Sequence, residues 1–330
     1  MTRYATIGTS SIVDLCLRAG AEVPGFEHTV VYSRDPERGE AFAARHGSAR
    51  VETSLEALAA ADDVDIVYIA SPNSLHHAQA ALMLEGGKHV LVEKAAAANA
   101  PELADLIHRA DEVDRVVVES LRSLFDPSRA VIEALLPTLG PIRRVRFAYC
   151  QRSRRYDAFL AGHAVNIFDP AMAAGALMDI GTYCVNPLVA WFGAPESVQV
   201  GSFRLSNGID GAGTILAAYP GMVAEVAYSK VTQSDLPSEI QGEDATLVID
   251  VIHDPRHLRV LHSDGREEEI VVDKPLPQQA YVLSAMDAIV DEPERAKPFN
   301  ATSLAALELL DRARAQAGIR FPSDPDVSGA

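Results

Sequence analysis

The chain reads as an α/β domain followed by an α+β domain, and three observations carry that reading. The first ~120 residues alternate short apolar strands with helices, the pattern of a parallel sheet with crossover helices. That alternation stops near Arg122–Pro127. Beyond it, strand-like runs follow one another between turn dipeptides before two closing helices. The chain has 330 residues and a typical domain roughly 100–200, so the break predicts two domains, 1–122 and 123–330.

Tyr4–Gly8 is a short apolar run, and Ser11–Ala19 has helical character. Thr29–Ser33 is the next strand. Asp35-Pro36 has the form of a helix cap followed by proline at the first helical position, opening a helix to about His46. Ser54 caps a short helix. Asp65–Ala70 is a strand running into Ser71-Pro72-Asn73, and a helix from about Ser74 to Leu84 stops at Gly86-Gly87. His89–Val92 is a strand ending at Glu93-Lys94, Pro101–Ala110 a helix, and Arg115–Glu119 the last strand of the series. In the second half, Pro127–Leu136 is helical, Ile142–Cys150 alternates like a half-buried strand, and Gly175–Phe192 is helical. Several strands between Ser197 and Val272 are punctuated by Asn207-Gly208, Pro220-Gly221 and Asp264-Gly265. Helices over Gln278–Val290 and Thr302–Ala317 close the chain.

Composition narrows the function. Hydrophobic residues are 48% and charged residues 23%, ordinary for a globular protein and too apolar for a disordered one. Lys plus Arg is 29 against 46 for Asp plus Glu, a net charge of −17. Phosphate backbones and anionic lipid surfaces repel such a chain, so neither nucleic acid nor a membrane is an expected partner. The densest basic cluster, Arg152, Arg154 and Arg155, is short. Cys16, Cys150 and Cys184 are too few and too scattered for a disulfide framework or a cysteine metal site. With no signal-peptide pattern at Met1-Thr2-Arg3-Tyr4 and no apolar run near the ~18 residues that span a bilayer, a cytoplasmic location is expected.

The turn Ile7-Gly8-Thr9-Ser10-Ser11-Ile12 lies between the first strand and the first helix. A dinucleotide-binding fold places its pyrophosphate there, against free backbone N–H groups and the positive helix end. Gly8 fills the first position of the glycine fingerprint and Ser10 the second, where a small residue lets phosphate approach; Val13 takes the third. Gly8, Thr9, Ser10 and Ile12 are therefore cofactor-binding candidates. The second strand ends Val31-Tyr32-Ser33-Arg34. A hydroxyl and a guanidinium suit a ribose 2′-phosphate better than the acidic residue of an NAD site does, so NADP is expected over NAD.

Two segments are more specific. Ser71-Pro72-Asn73-Ser74-Leu75-His76, followed by Gly86-Gly87-Lys88-His89-Val90-Leu91-Val92-Glu93-Lys94, resembles the signature of the Gfo/Idh/MocA (glucose–fructose oxidoreductase/inositol dehydrogenase) family. Gly175-Ala176-Leu177-Met178-Asp179-Ile180-Gly181-Thr182-Tyr183 resembles its second-half motif. Tyr183, Ile142–Asp157 and Pro237–Ile249 look most like the dihydrodiol dehydrogenase branch. The resemblance implies a Rossmann domain, then a domain on a large, mostly antiparallel sheet. It also implies hydride transfer between a nicotinamide and a secondary alcohol or carbonyl of a sugar, cyclitol or vicinal diol.

Such chemistry needs a group to take the hydroxyl proton and a positive group for the developing alkoxide. The resemblance assigns these to Lys94, Asp179 and Tyr183. Lys94 ends a parallel strand, where α/β sheets place ligands. Asp179 and Tyr183 are four apart and share a face if their segment is helical; Asp179 is equally suited to cap that helix. Ser71, Pro72, Asn73, His76, Glu93 and Arg122 are further cofactor-side candidates. Tyr156 and Asn166, with His163, are candidates for the substrate side. No metal is needed, and the histidines show no ligand spacing.

The sequence departs from the family pattern at Ala95, which stands where relatives carry proline and is expected to loosen the backbone after Lys94. Ile167 replaces an arginine found in many relatives. The alternative function is a cofactor-binding regulator, argued against by the presence of all three reactive residues, or an NAD-assisted glycosidase, which would release free sugar without net change in NADPH. A homodimer or homotetramer through the open sheet is expected, and the alternation in Val223–Tyr228 is compatible with it.

Overall fold

The computed structural model describes residues 1–47 and 50–324. Along the first part run β1 (Thr2–Ile7), α1 (Ser11–Gly20), β2 (Phe26–Tyr32), α2 (Pro36–Arg45), β3 (Arg50–Glu52), α3 (Leu55–Ala59), β4 (Ile66–Ile69), α4 (Asn73–Glu85), β5 (His89–Glu93), α5 (Ala100–Glu112) and β6 (Val117–Ser120). Then come α6 (Arg122–Phe125), α7 (Pro127–Leu135), β7 (Ile142–Cys150), α8 (Tyr156–Leu160) and α9 (Thr182–Phe192). The strands β8 (Ser197–Arg204), β9 (Asp210–Tyr219), β10 (Met222–Ser229), β11 (Ser238–Gly242), β12 (Ala245–Ile249), β13 (His257–His262) and β14 (Glu267–Val271) follow. The helices α10 (Gln278–Asp291) and α11 (Ala296–Ala317) end the chain.

The described residues form two compact units, one of Met1–Arg122 with Leu276–Leu304, the other of Ser123–Pro275 with the chain from Ala305. The first unit holds a six-stranded sheet of order β3-β2-β1-β4-β5-β6, parallel throughout. All four residues of β4 are buried, because helices cover both faces and leave no reason for alternation. Two local signals form as the sequence predicts, Asp35 accepting from the Arg38 N–H and Ser54 from the Ala57 N–H; Asn99 caps α5 in the same way, accepting from the Glu102 N–H.

The first unit also takes back 276–304, which the sequence reading assigned to the second domain. The cause is the apolar face of α10, with Ala280, Val282, Leu283, Met286 and Ile289 buried. It packs on α1, where a side chain at Gly20 would meet Leu283. Thr2 Oγ1 adds a 2.8 Å hydrogen bond to Asp287. Helical periodicity shows that a face is apolar but not which surface covers it. Residues 325–330 of the predicted second domain lie outside the described residues.

The second unit is built on an eight-stranded sheet of order β14-β13-β12-β11-β7-β10-β9-β8. Only the β7–β10 pair is parallel; the other neighbours are antiparallel. The segment read as one helix over Gly175–Phe192 is two pieces. Leu177–Gly181 is a π-helical turn, and α9 follows it. The start of this turn is capped from a distance by Asp210 of β9, whose Oδ2 accepts from the Leu177 N–H at 2.6 Å. Burial pushes the Asp210 carboxyl up to about 6, against the lowering effect of the N–H groups it accepts. Gly175, with φ +108°, leaves the space that Asp210 occupies; a Cβ there would collide with Asp210 Oδ1.

Two outcomes follow from this packing. Gly175→Ala should cost at least about 1–2 kcal/mol, since it adds left-handed strain to a collision with a buried carboxylate; the denaturant midpoint checks this. In the first unit, burial holds His28 and His89 down at about 4. Between the unfolded value of about 6.5 and 4, the unfolded chain binds protons that the folded chain does not. Stability is therefore complete above pH 6.5 and falls as pH drops, by up to roughly 2 kcal/mol per histidine at pH 5. Urea titrations at pH 7 and pH 5 should show a smaller acid loss for His28→Gln than for the native chain.

Candidate active site

In the first sheet the strand order reverses between β1 and β4, and the carboxyl ends of strands at such a reversal form a ligand crevice. Gly8 ends β1 there with φ +119°, and a Cβ on it would approach the Ala70 carbonyl oxygen to 3.1 Å. Only glycine suits both the dihedral and the approach. Ser10 stands at the N-cap of α1 without making a side-chain cap, and its buried Oγ has no hydrogen-bond partner. The ten-residue helix therefore presents a positive end whose capping hydroxyl is uncommitted, which fits a dinucleotide pyrophosphate. Thr9 and Ile12 are half-buried beside it.

At the end of β2, Ser33 is buried and its hydroxyl donates to the Asp35 carbonyl at 2.7 Å, while Arg34 is exposed. The Asp35 carboxylate is engaged with the Arg38 N–H at 3.2 Å. The one acid after this strand is thus spent on the helix, and the guanidinium is available to a phosphate, which fits NADP.

Ser71, Pro72 and Asn73 are half-buried at the entry to α4, and Ser71 Oγ donates to Gln79. His76 is fully buried. Its Nδ1 lies 2.9 Å from the Ala95 carbonyl oxygen and its Nε2 2.8 Å from that of Ser71. The sequence reading placed His76 on the cofactor wall; the structure places it beneath, tying the loop after β4 to the loop after β5. Burial lowers its pKa despite the two carbonyls, and the Lys94 ammonium lowers it further.

The loop after Lys94 is not loosened. Ala95 through Ala98 are buried, the Ala95 carbonyl meets His76, and the Ala96 N–H donates to Glu119 Oε1 at 3.0 Å. The Lys94–Ala95 peptide bond is cis. Glu119 is buried, and that burial raises its pKa. Glu93 is held from both sides, by the Tyr68 hydroxyl at 2.6 Å and the Lys94 N–H at 3.3 Å. Hydrogen bonds from side chains thus do locally what a proline ring would do by fixing φ. Arg122 donates to Gln278 Oε1 at 3.0 Å, which fastens it to α10.

In the second unit, Asp210 caps the start of the π-helical turn. The Asp179 carboxylate, within that turn, is ion-paired with the Lys230 ammonium. Tyr183, one turn on, is buried. Its ring meets Tyr149 edge-on at 5.8 Å and His253 edge-on at 6.0 Å, and those two stack on each other at 4.0 Å. A π-turn is a frequent device for turning side chains at functional sites. Tyr156 packs with Phe159, Phe168 and Arg152, while Asn166 and His163 are exposed. Lys230, His253, Tyr149 and Asp210 were missed by sequence reasoning. Lys230 follows an ordinary alternating strand, and nothing local marks it. Among the described residues, no group of three or more His, Cys, Asp or Glu is placed to hold a metal.

Comparison with known proteins agrees with this geometry. Residues 2–120 match the family model "Oxidoreductase family, NAD-binding Rossmann fold", and residues 137–248 match "GFO/IDH/MocA C-terminal domain". A scyllo-inositol 2-dehydrogenase (NADP(+)) of Bacillus subtilis is 41% identical over 326 residues, covering 98% of this chain and 99% of that protein. The trans-1,2-dihydrobenzene-1,2-diol dehydrogenase of Homo sapiens is 33% identical over 207 residues, 61% of this chain and 60% of that one. Among solved structures, a 3-ketoreductase from Actinomadura kijaniata superposes with a TM-score of 0.84 at 23% identity, covering 98% of this chain and 99% of that one; this likeness concerns the fold. With both halves matched and one relative similar along its whole length, the chain belongs to the Gfo/Idh/MocA family of oxidoreductases.

Proposed function

We propose that this protein is an NADP-dependent dehydrogenase or reductase acting on a secondary alcohol or carbonyl of a cyclitol, sugar or related vicinal diol. The observation that carries the reading is the start of the 177–192 segment. There Asp179 is ion-paired with the Lys230 ammonium in a turn whose start Asp210 caps, with Tyr183 one turn away. The similarity to an NADP-dependent inositol dehydrogenase along the whole chain supports the substrate class. Asp35, engaged as a cap, and the exposed Arg34 support NADP.

The nicotinamide, when bound, supplies or accepts the hydride. Lys94, fixed by the Glu93 and Glu119 contacts around it, donates to the reacting oxygen and stabilises negative charge developing on it. The Tyr183 hydroxyl moves the proton of that oxygen. Asp179 accepts a hydrogen bond from a substrate hydroxyl. Gly8, Thr9, Ser10, Ile12, Ser71, Pro72 and Asn73 line the cofactor side, and Tyr156 and Asn166 are peripheral substrate candidates. Among the described residues no helix is long and apolar enough to cross a membrane, and all three cysteines are free; a cytoplasmic enzyme accords with both. The outer face of the large sheet exposes Phe203, Leu216 and Val223, a surface suited to a second copy of the chain.

Lys94→Ala should abolish NADPH formation from scyllo-inositol while NADPH still binds by fluorescence; retained turnover would remove the role given to Lys94. Arg34→Ala should raise the KM for NADP by roughly ten- to a hundredfold, the loss of a charged hydrogen bond of about 1.5–3 kcal/mol. The KM for NAD should stay nearly unchanged, and steady-state kinetics with both cofactors compare the two.

A further inference from the structure

Lys230 has no part in the hydride or proton transfer of the proposed reaction, yet it is built into the second unit with care. It follows β10 directly. Its N–H donates to the Gly211 carbonyl at 2.8 Å, and its own carbonyl accepts from the Ser153 N–H at 2.8 Å. The backbone is thus fixed from both sides. The side chain is 11% exposed, against 25% for its partner Asp179. A solvated surface lysine keeps its ammonium in water; this one is enclosed and spends its charge on a single carboxylate. Breaking such a pair from one side is costly because the other charge is left behind.

The carboxylate is equally constrained. Asp179 lies in the π-helical turn whose first N–H groups are served by Asp210. β9 and β10 both pack against this turn. The same two strands that carry Asp210 and lead into Lys230 therefore set where the Asp179 carboxylate sits.

We propose that Lys230 is a positioning residue for the reaction: its ammonium holds Asp179 as an ionised, fixed acceptor for a hydroxyl of the substrate. An ionised carboxylate accepts hydrogen bonds and donates none. Asp179 then recognises an O–H and leaves proton transfer to other groups. A substrate with a second hydroxyl beside the reacting one satisfies this acceptor, and a simple secondary alcohol leaves it empty. Lys230 thereby underlies a preference for diols. This inference rests on the proposed dehydrogenase function.

The test uses the full chain and four variants: Lys230→Met, Lys230→Arg, Asp179→Asn and the Lys230→Met/Asp179→Asn double. Steady-state kinetics with NADP and scyllo-inositol should show the KM of Lys230→Met raised roughly ten- to a hundredfold, with a smaller fall in kcat and unchanged NADPH binding. Lys230→Arg, which keeps the charge, should recover most of the loss. The double variant should match Asp179→Asn alone within about twofold, since coupled residues are non-additive. The preference for scyllo-inositol over cyclohexanol should shrink in Lys230→Met. A native KM in Lys230→Met, or losses that multiply in the double variant, would overturn the proposal. Thermal melts of the same four proteins read the pair without turnover: additive shifts in Tm count against it, and non-additive shifts sustain it. Absence of turnover by the native chain on any polyol would overturn the dehydrogenase function, and the melts keep that failure distinct from failure of the pair.

Discussion

Backbone N–H and C=O groups that leave a sheet or a helix inside a protein must find partners, and in this chain the side chains that serve them decide where the reactive groups stand. Asp210 serves the start of the 177–192 segment, which carries Asp179. Glu119 serves the Ala96 N–H and His76 approaches the carbonyls of Ala95 and Ser71, which fixes the strand end that carries Lys94. None of these three buried groups needs to touch a substrate. Each removes a demand that would otherwise fall on a neighbour, and a reactive side chain is useful only when the backbone beneath it is already satisfied.

Much of the fold was legible because its determinants are local. Asp35-Pro36, Ser54 and the apolar runs of β4 and β5 act over a few residues, and caps and strands formed where those residues stand. The return of α10 to the first unit was not legible, because the partner of an apolar face lies far away in sequence. The same limit applied to the site. Lys94, Asp179 and Tyr183 could be nominated because they belong to recognisable segments. Lys230 and Asp210 act on residues 51 and 33 positions away, and neither has neighbours that announce it. His76 shows the opposite error. A histidine after Ser71-Pro72-Asn73 looks like a wall residue, yet full burial and two carbonyl partners make it a tie.

Ala95 illustrates how a local rule can be replaced. Proline stiffens a loop through its ring, independently of its surroundings. Here the same stretch is held by a buried histidine and a buried glutamate, so its order depends on tertiary structure. The burial of Ala95 through Ala98 is part of this arrangement, since a run of small side chains lets His76 and Glu119 reach the backbone.

The net charge of −17 sets the remaining problem, because an anionic dinucleotide must bind a protein that repels it at a distance. Long-range potential decays within about 10 Å at ordinary ionic strength, so what matters is charge placed at contact. Under the proposed function, the end of α1, where Ser10 makes no side-chain cap, and the exposed Arg34 supply it on the nucleotide side. Lys94 has buried carboxyl groups near it, Glu93 and Glu119, and desolvation raises the pKa of the latter. Lys230 is the contrasting case: its charge is committed to Asp179 and leaves little for an anion. In the proposed reaction the two lysines divide the work, Lys94 serving the oxygen that becomes negative and Lys230 keeping a carboxylate negative. An acidic chain can perform both tasks because each is settled over a few ångströms.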